Sequence, residues 1–301
     1  MAKQARRVGV IGLGAMGMGV ARSLVRAGLD VHVCDVRPEA VKTIVDAGGH
    51  GHATPAALAP HVDAVIILVV NAQQTEAVLF GENGAATALA PGSVVIASAT
   101  VSPEFAEALG RRLNEAGLRF IDAPVSGGAA KAAAGQMSVM ASGPDDAFAD
   151  CEDLFKAIAA NLYRLGDKAG QGSTVKMINQ LLAGVHIAAT AEAMALGIKA
   201  GADPEKLYEV ICNSAGGSWM FQNRGAHILA GDYTPLSAVN IFVKDLGIVL
   251  DYAKKSVFPL PLSATAHQMF MQASAAGHGG EDDSAVIKVF PGIDLPRPKS
   301  A

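Results

Sequence analysis

Aromatic residues are scarce in this chain. Phe, Trp and Tyr make up 5% of its 301 residues, with a single tryptophan. No basic run is interleaved with aromatics. With 24 Lys and Arg against 28 Asp and Glu the formal charge is -4, so nothing favours a phosphate backbone, and nucleic acid is not an expected partner. Cysteine is rare too. Cys34, Cys151 and Cys212 are odd in number and far apart, with no Cys-x-x-Cys pair and no Cys/His set at zinc-ligand spacing. That is the pattern of buried, reduced thiols in a cytoplasmic protein, and no metal is expected. The apolar run Val8 to Val20 follows Lys3, Arg6 and Arg7 in the manner of a signal peptide. Gly9, Gly12, Gly14, Gly17 and Gly19 interrupt it, however, and no cleavage-type site precedes a sensible mature start. No later stretch is expected to be apolar enough to span a bilayer, and no membrane partner is expected.

What the chain has in quantity is small and aliphatic. Half of it is hydrophobic, mainly Ala, Val, Leu and Ile, and 33 residues are glycine without a collagen-like period. The length suggests about two domains. In the first half, short β-branched runs alternate with helical patterns. Strands are expected at Arg6 to Ile11, Val31 to Val36, Ala64 to Val70, Val94 to Ala97, Phe120 to Ile121 and Ser138 to Ala141. Helices are expected at Met16 to Ala27, Pro38 to Ala47 and Pro103 to Ala116. Continuous apolar strands alternating with helices indicate an α/β fold with a doubly wound parallel sheet. The pattern changes near Gly166. A long helix from Gly170 to Ala200 is followed by helical segments starting near Asp203, Ser218, Ser237 and Leu262, with no convincing strand after Leu165. The expected organisation is an α/β domain over 1–166 and an all-helical domain over 167–301.

Three motifs carry chemistry. Gly12-Leu13-Gly14-Ala15-Met16-Gly17 lies between a strand and a helix, and a second strand then reaches Asp35. In that setting Gly12 allows the tight turn, Gly14 the approach of a pyrophosphate, and Gly17 close helix packing. Asp35 can accept both ribose hydroxyls and would repel a 2′-phosphate, which favours NAD over NADP, although Arg37 softens that preference. The second motif, Asp122-Ala-Pro-Val-Ser126-Gly127-Gly128, ends a strand in a turn whose N–H groups and hydroxyl suit a carboxylate, or form an ordinary loop. The third opens the long helix. Lys176, Asn179 and Gln180 fall at i, i+3 and i+4 and share a face. A lysine among apolar neighbours and beside a cationic nicotinamide can exchange a proton near neutral pH; a solvated helix lysine is the alternative.

These motifs, together with Val243-Lys244-Asp245-Leu246, occur in an order and spacing that resembles the β-hydroxyacid dehydrogenase family over nearly the whole chain. The resemblance implies a Rossmann domain followed by a helical domain that also serves oligomerisation, with the active site between them. It implies NAD as cofactor, a small hydroxyacid as substrate, and a homodimer or homotetramer. Lys176 would be the catalytic acid/base. Ser126, Gly127 and Gly128 would bind the substrate carboxylate beside Asn179 and Gln180. Val70, Asn71, Thr100 and Lys244 would join Leu13, Ala15, Met16 and the glycines on the cofactor.

Many members carry Asn four residues after the lysine, where this chain has Gln180, and the extra methylene suits a substrate of different shape. A finer resemblance, in 179–186, 218–223, 240–245 and 277–288, is to a branch acting on a four-carbon polyhydroxy acid. Such a substrate needs more hydrogen-bonding groups than a methyl-branched one. Ser218, Asn223, Asn240, His278 and Asp283 are the polar candidates. His186 and the Met-Phe-Met run at 269–271 are expected mainly in the core, and Trp219 in the core or a pocket wall.

Overall fold

The computed structural model describes residues 7–298. Lys3 and Arg6 lie outside them. The chain forms two compact units, one ending at Lys176 and the other beginning at Met177.

The first unit opens with β1 (Arg7–Ile11), α1 (Ala15–Arg26), β2 (Asp30–Cys34), α2 (Pro38–Val45) and β3 (His50–Gly51). It continues with α3 (Pro55–Leu58), a 3-10 turn at Ala59–His61, β4 (Ala64–Ile67), α4 (Ala72–Phe80), β5 (Val94–Ala97), α5 (Pro103–Glu115) and β6 (Arg119–Asp122). These six strands form one parallel sheet in the order β3-β2-β1-β4-β5-β6. Strand alternation sends successive residues to opposite faces. Val8, Val10, Ala64 and Ile66 enter the core built with α1, whereas Ile11, Val65 and Ile67 enter the one built with Leu58, Leu109 and Leu113. Both faces are therefore covered, which is why the strands read as continuous apolar runs.

A second, three-stranded sheet follows the first. It consists of β7 (Val125–Ser126), β8 (Met137–Ala141) and β9 (Ala159–Arg164), with α6 (Gly128–Ala134), α7 (Asp145–Asp150) and α8 (Glu152–Ile158) between them. The strand at Ser138 to Ala141, expected in the parallel sheet, belongs here as β8, paired antiparallel to β7 and parallel to β9. Strand β9 escaped the sequence reading because five of its six residues are exposed and give no apolar signal.

The long helix α9 (Gln171–Lys199) runs for 29 residues, and the division between the units falls within it. By length and composition it is apolar enough to cross a membrane, which corrects the expectation that no later stretch is. Its Ile187, Ala188, Ala191, Met194 and Ala195 lie in the core of the second unit. That unit continues with α10 (Pro204–Cys212), α11 (Trp219–Ala230), α12 (Val239–Lys255) and α13 (Pro261–Ala273). Among the described residues no strand follows β9, apart from an isolated bridge between Ala238 and Asp282. Phe221, Ile228, Phe242, Leu246 and Phe270 fill the core of this unit. Phe270 is fully buried but Met271 is exposed, so the 269–271 run is only partly core. Trp219 is 57% exposed and is not core, and His186 is half-buried. The three cysteines are free. Cys212 is only half-buried, whereas burial pushes the Cys34 thiol up to about 11.

Candidate active site

The strand order reverses between β1 and β4, and ligands of such sheets bind beyond the carboxyl ends of the strands at that point. Apart from Lys176 on α9, the expected site residues of the first unit come at or after strand ends. The glycine loop follows β1, Asp35 follows β2, Val70 and Asn71 follow β4, Thr100 follows β5, and Ser126 to Gly128 come after β6.

In the glycine loop the three glycines do different work. Gly12 has φ +94, and a Cβ there would lie 2.7 Å from the Leu68 carbonyl. A Cβ on Gly17 would lie 1.9 Å from the Gly12 carbonyl, so α1 can begin against the loop only with glycine at that position. At Gly14, the N-cap of α1, a Cβ would meet nothing within 4 Å. No side chain caps this helix and its first turn holds no acid, so exposed N–H groups and open space coincide where a diphosphate would sit. The residues fit a dinucleotide.

Leu13 is placed differently from its neighbours. Its side chain is in the core, and its backbone N–H donates to Asp35 Oδ2 at 2.6 Å while its carbonyl accepts from Arg37 at 2.8 Å. Arg37 also donates through its backbone N–H (2.9 Å) and Nε (3.0 Å) to Asp35 Oδ1. Burial alone would raise the Asp35 pKa, but these partners, the Arg37 side chain foremost, hold it below the ordinary carboxylate value. Asp35 is thus an ionised group fixed beside the loop, and Arg37 is the partner that fixes it. Ala15 is exposed in the first turn of α1, and Met16 packs against the core.

The Asn71 side chain caps α4 by accepting the Gln74 N–H at 2.8 Å, and Gln74 Oε1 in turn accepts the Val70 N–H at 2.9 Å. Thr100 is half-buried just before Ser102, which caps α5. Ser126 ends β7. Gly127, at φ +134, and Gly128, at φ +73, turn the chain into α6. At Gly128 the place of a Cβ is open.

The start of α9 is held by Asp122, at the end of β6. Its Oδ2 accepts the N–H groups of Gly170 (3.0 Å) and Ser173 (2.8 Å), and its Oδ1 accepts the Ser173 hydroxyl (2.7 Å). One turn later comes Lys176, only 6% exposed, so the solvated-lysine alternative does not hold. Asp122 belongs to the second motif, but nothing local in sequence joins it to a helix beginning 49 residues later.

In the second unit the polar groups form a string. Asn179 Nδ2 donates to Gln180 Oε1 at 3.0 Å, and Gln180 Nε2 donates to Asp245 Oδ2 at 2.5 Å. Asp245 Oδ1 lies 2.5 Å from Lys244 Nζ. Gln180 and Asp245 are both buried. Gln180 thus spends its amide within the protein and orients Asn179. Asp245 was missed as a site residue although it neighbours Lys244 in the recognised motif.

The remaining polar candidates are engaged locally. Ser218 caps α11, Asn223 accepts from Arg224, Asn240 accepts from Ser274, and His278 pairs with Glu281. Asp283 is buried against Arg224.

Residues 7–166 match the family model for the NAD binding domain of 6-phosphogluconate dehydrogenase. Residues 170–290 match the NAD-binding model of NADP-dependent 3-hydroxyisobutyrate dehydrogenase. The chain belongs to the β-hydroxyacid dehydrogenase family, and it is an NAD-dependent dehydrogenase. It is 69% identical to the L-threonate dehydrogenase of Cupriavidus necator, over 97% of this chain and 98% of that one. It is 54% identical to the L-threonate dehydrogenase of Escherichia coli K12, over 97% of both chains. A crystal structure from Salmonella typhimurium described as 3-hydroxyisobutyrate dehydrogenase superposes with a TM-score of 0.91 at 53% identity, covering 95% of this chain and 100% of that chain.

Proposed function

We propose that this chain oxidises L-threonate at C2 to 2-dehydro-L-erythronate, with NAD as the acceptor and Lys176 as the acid/base. The reading rests above all on the buried position of Lys176 in the anchored first turns of α9, on a chain whose relatives at 69% and 54% identity are named for this reaction. Bound NAD supplies the hydride-accepting ring, and the loop of Gly12, Gly14 and Gly17 with Asp35 is the part of the chain suited to hold it. The substrate carboxylate takes the N–H groups and hydroxyl of Ser126, Gly127 and Gly128. Asn179, oriented by Gln180, holds a substrate hydroxyl. Lys176 takes up the C2 hydroxyl proton as the C–H bond is broken. Positioning and proton transfer of this kind account for most of the rate such a site can supply.

The rival is 3-hydroxyisobutyrate, the substrate in the name of the Salmonella structure. Gln180 bears on this choice through Asn179, whose amide it orients. A panel of hydroxyacids with NAD and NADP, ranked by kcat/KM, tests the reading. L-threonate is expected first, and 3-hydroxyisobutyrate or tartronate semialdehyde ahead of it would overturn the substrate.

We place the enzyme in the cytoplasm as a homo-oligomer. Val175, Ile178 and Leu182 on α9 are exposed at i, i+3 and i+7, a stripe that suits a second copy.

A further inference from the structure

Four of the chain's eight histidines gather at one edge of the parallel sheet. His32 on β2 is the register partner of His50 on β3, so the two side chains leave the same face, and their rings stack with centroids 4.8 Å apart. Asp30 lies two residues before His32 on the same strand and shares that face by alternation. His52, just past β3, places its Nε2 2.8 Å from His32 Nδ1. His61, which ends the 3-10 turn before β4, stacks on both His32 (5.5 Å) and His52 (5.0 Å). Asp30 opens β2 and His32 lies at its middle, whereas Asp35 follows its end.

Two ring nitrogens converge on one carboxylate oxygen. Asp30 Oδ1 is 3.4 Å from His32 Nε2 and 3.2 Å from His50 Nε2. All three ligand atoms lie within 4.8 Å of one another. Zinc bonds to nitrogen and oxygen of about 2.0–2.2 Å in a tetrahedral arrangement set ligand atoms roughly 3.3–3.5 Å apart. The two edges that meet at Asp30 Oδ1, 3.4 and 3.2 Å, are close to that length, and the third, between the ring nitrogens, is within 4.8 Å.

The surroundings suit a metal as well. Without a metal, His32 Nε2–H faces Asp30 Oδ1 and Nδ1 can accept from His52 Nε2–H. A cation bound at Nε2 takes the place of that proton, and His32 Nδ1–H then donates to His52. A metal-bound histidine that donates its other ring N–H to a fixed acceptor has its ring orientation and tautomer set in this way. His32 is anchored, with its side chain 10% exposed, while Asp30 (38%) and His50 (59%) stand at the surface. An ion has both a route in and room for water as a fourth ligand.

We propose that Asp30, His32 and His50 form a binding site for a divalent transition metal of the zinc type, which pins the two-residue edge strand β3 to β2, with His52 as the group that orients His32. The sequence reading expected no metal, because the ligands come from two strands at a spacing no zinc motif uses.

The test uses the full-length chain without a histidine tag, stripped by a chelator, and titrated with Zn²⁺ by calorimetry and with Co²⁺ by visible absorption. One saturable equivalent per chain is expected, with a rise in Tm on adding Zn²⁺. Asp30→Asn, at a half-buried position, and His50→Ala, at an exposed one, are expected to weaken binding by more than about tenfold. Metal-free Tm and dehydrogenase activity should stay at the wild-type level in both. Absence of saturable binding, or binding that both variants retain at full strength, overturns the proposal and leaves the four rings as a proton-bridged packing element.

Discussion

Asp122 and Ser173 are joined twice, hydroxyl to Oδ1 at 2.7 Å and backbone N–H to Oδ2 at 2.8 Å, so the last strand of the parallel sheet holds the first turn of the helix that carries Lys176. Burial pushes the Asp122 carboxyl above its ordinary value, and the Ser173 and Gly170 donors oppose that shift. Asp122→Asn keeps the shape but turns an amide NH₂ toward one of three donors. A loss of about 1.5–3 kcal/mol is expected, read as a lower urea midpoint, together with a lower kcat because Lys176 loses its anchor. Ser173→Ala should cost about 1 kcal/mol. Equal and negligible effects from both would separate this anchor from the placement of the helix.

Lys176 is assigned a proton, not merely a charge. Lys176→Ala should lower kcat by about 10²–10⁴ while NADH binding, followed by fluorescence, is preserved. Lys176→Arg should be nearly as inactive, since arginine keeps the charge but does not give up its proton. Substantial turnover in the arginine variant would argue for electrostatic stabilisation instead.

Two glycines of the loop, Gly14 and Gly17, should separate binding from folding. Gly14→Ala adds a methyl where nothing lies within 4 Å, so Tm is expected to hold while KM for NAD rises. Gly17→Ala drives a Cβ to 1.9 Å from the Gly12 carbonyl and should lower Tm as well as activity. Thermal melts beside NAD titrations distinguish the two outcomes.

Cofactor choice rests on Asp35. Asp35→Ser removes the ribose acceptor and releases Arg37. The kcat/KM for NAD should fall about ten- to hundredfold, as expected for losing a charge-assisted hydrogen bond, while that for NADP rises. An unchanged NAD to NADP ratio would move the discrimination elsewhere.

Asp283 gives the second unit a pH signature. Burial pushes its pKa from 3.8 up to about 6, against the pull of Arg224. Between those values the folded chain holds a proton that the unfolded chain has released, so this group's contribution to stability falls as pH rises from about 4 to 6 and then levels off. Compared with Asp283→Asn, the wild type should therefore be relatively more stable at pH 4 than at pH 7, by up to about 3 kcal/mol. Urea midpoints of both proteins at the two pH values measure it. A difference of the opposite sign would mean that the ion pair with Arg224 keeps Asp283 ionised throughout.

Much of the architecture was legible because burial on both faces writes a strand as an uninterrupted apolar run. Val94 to Ala97 matches β5 end to end, and the expected run at Ala64 contains β4. Helix starts were legible at Pro103, after the Ser102 cap, and at the Ser218 cap, whereas α4, capped by Asn71, was not expected. Strand β3, two exposed residues long, and the exposed β9 left no such mark.

The sequence by itself determined the alternation of strands and helices, the glycine loop with its acid at Asp35, and the lysine in the long helix. Each of these is a short-range pattern, set by backbone freedom, alternation or helical pitch. Only the tertiary structure decided which distant groups hold those patterns in place. Asp122 reaches Ser173, Gln180 reaches Asp245, and Asp30 meets His50. The partners in each pair are separated by many residues, and only a packed fold brings their hydrogen-bonding atoms within reach. Scarce aromatics, the lack noted first, fit that outcome, because the site described here is assembled from backbone amides, carboxylates and amino groups rather than from rings.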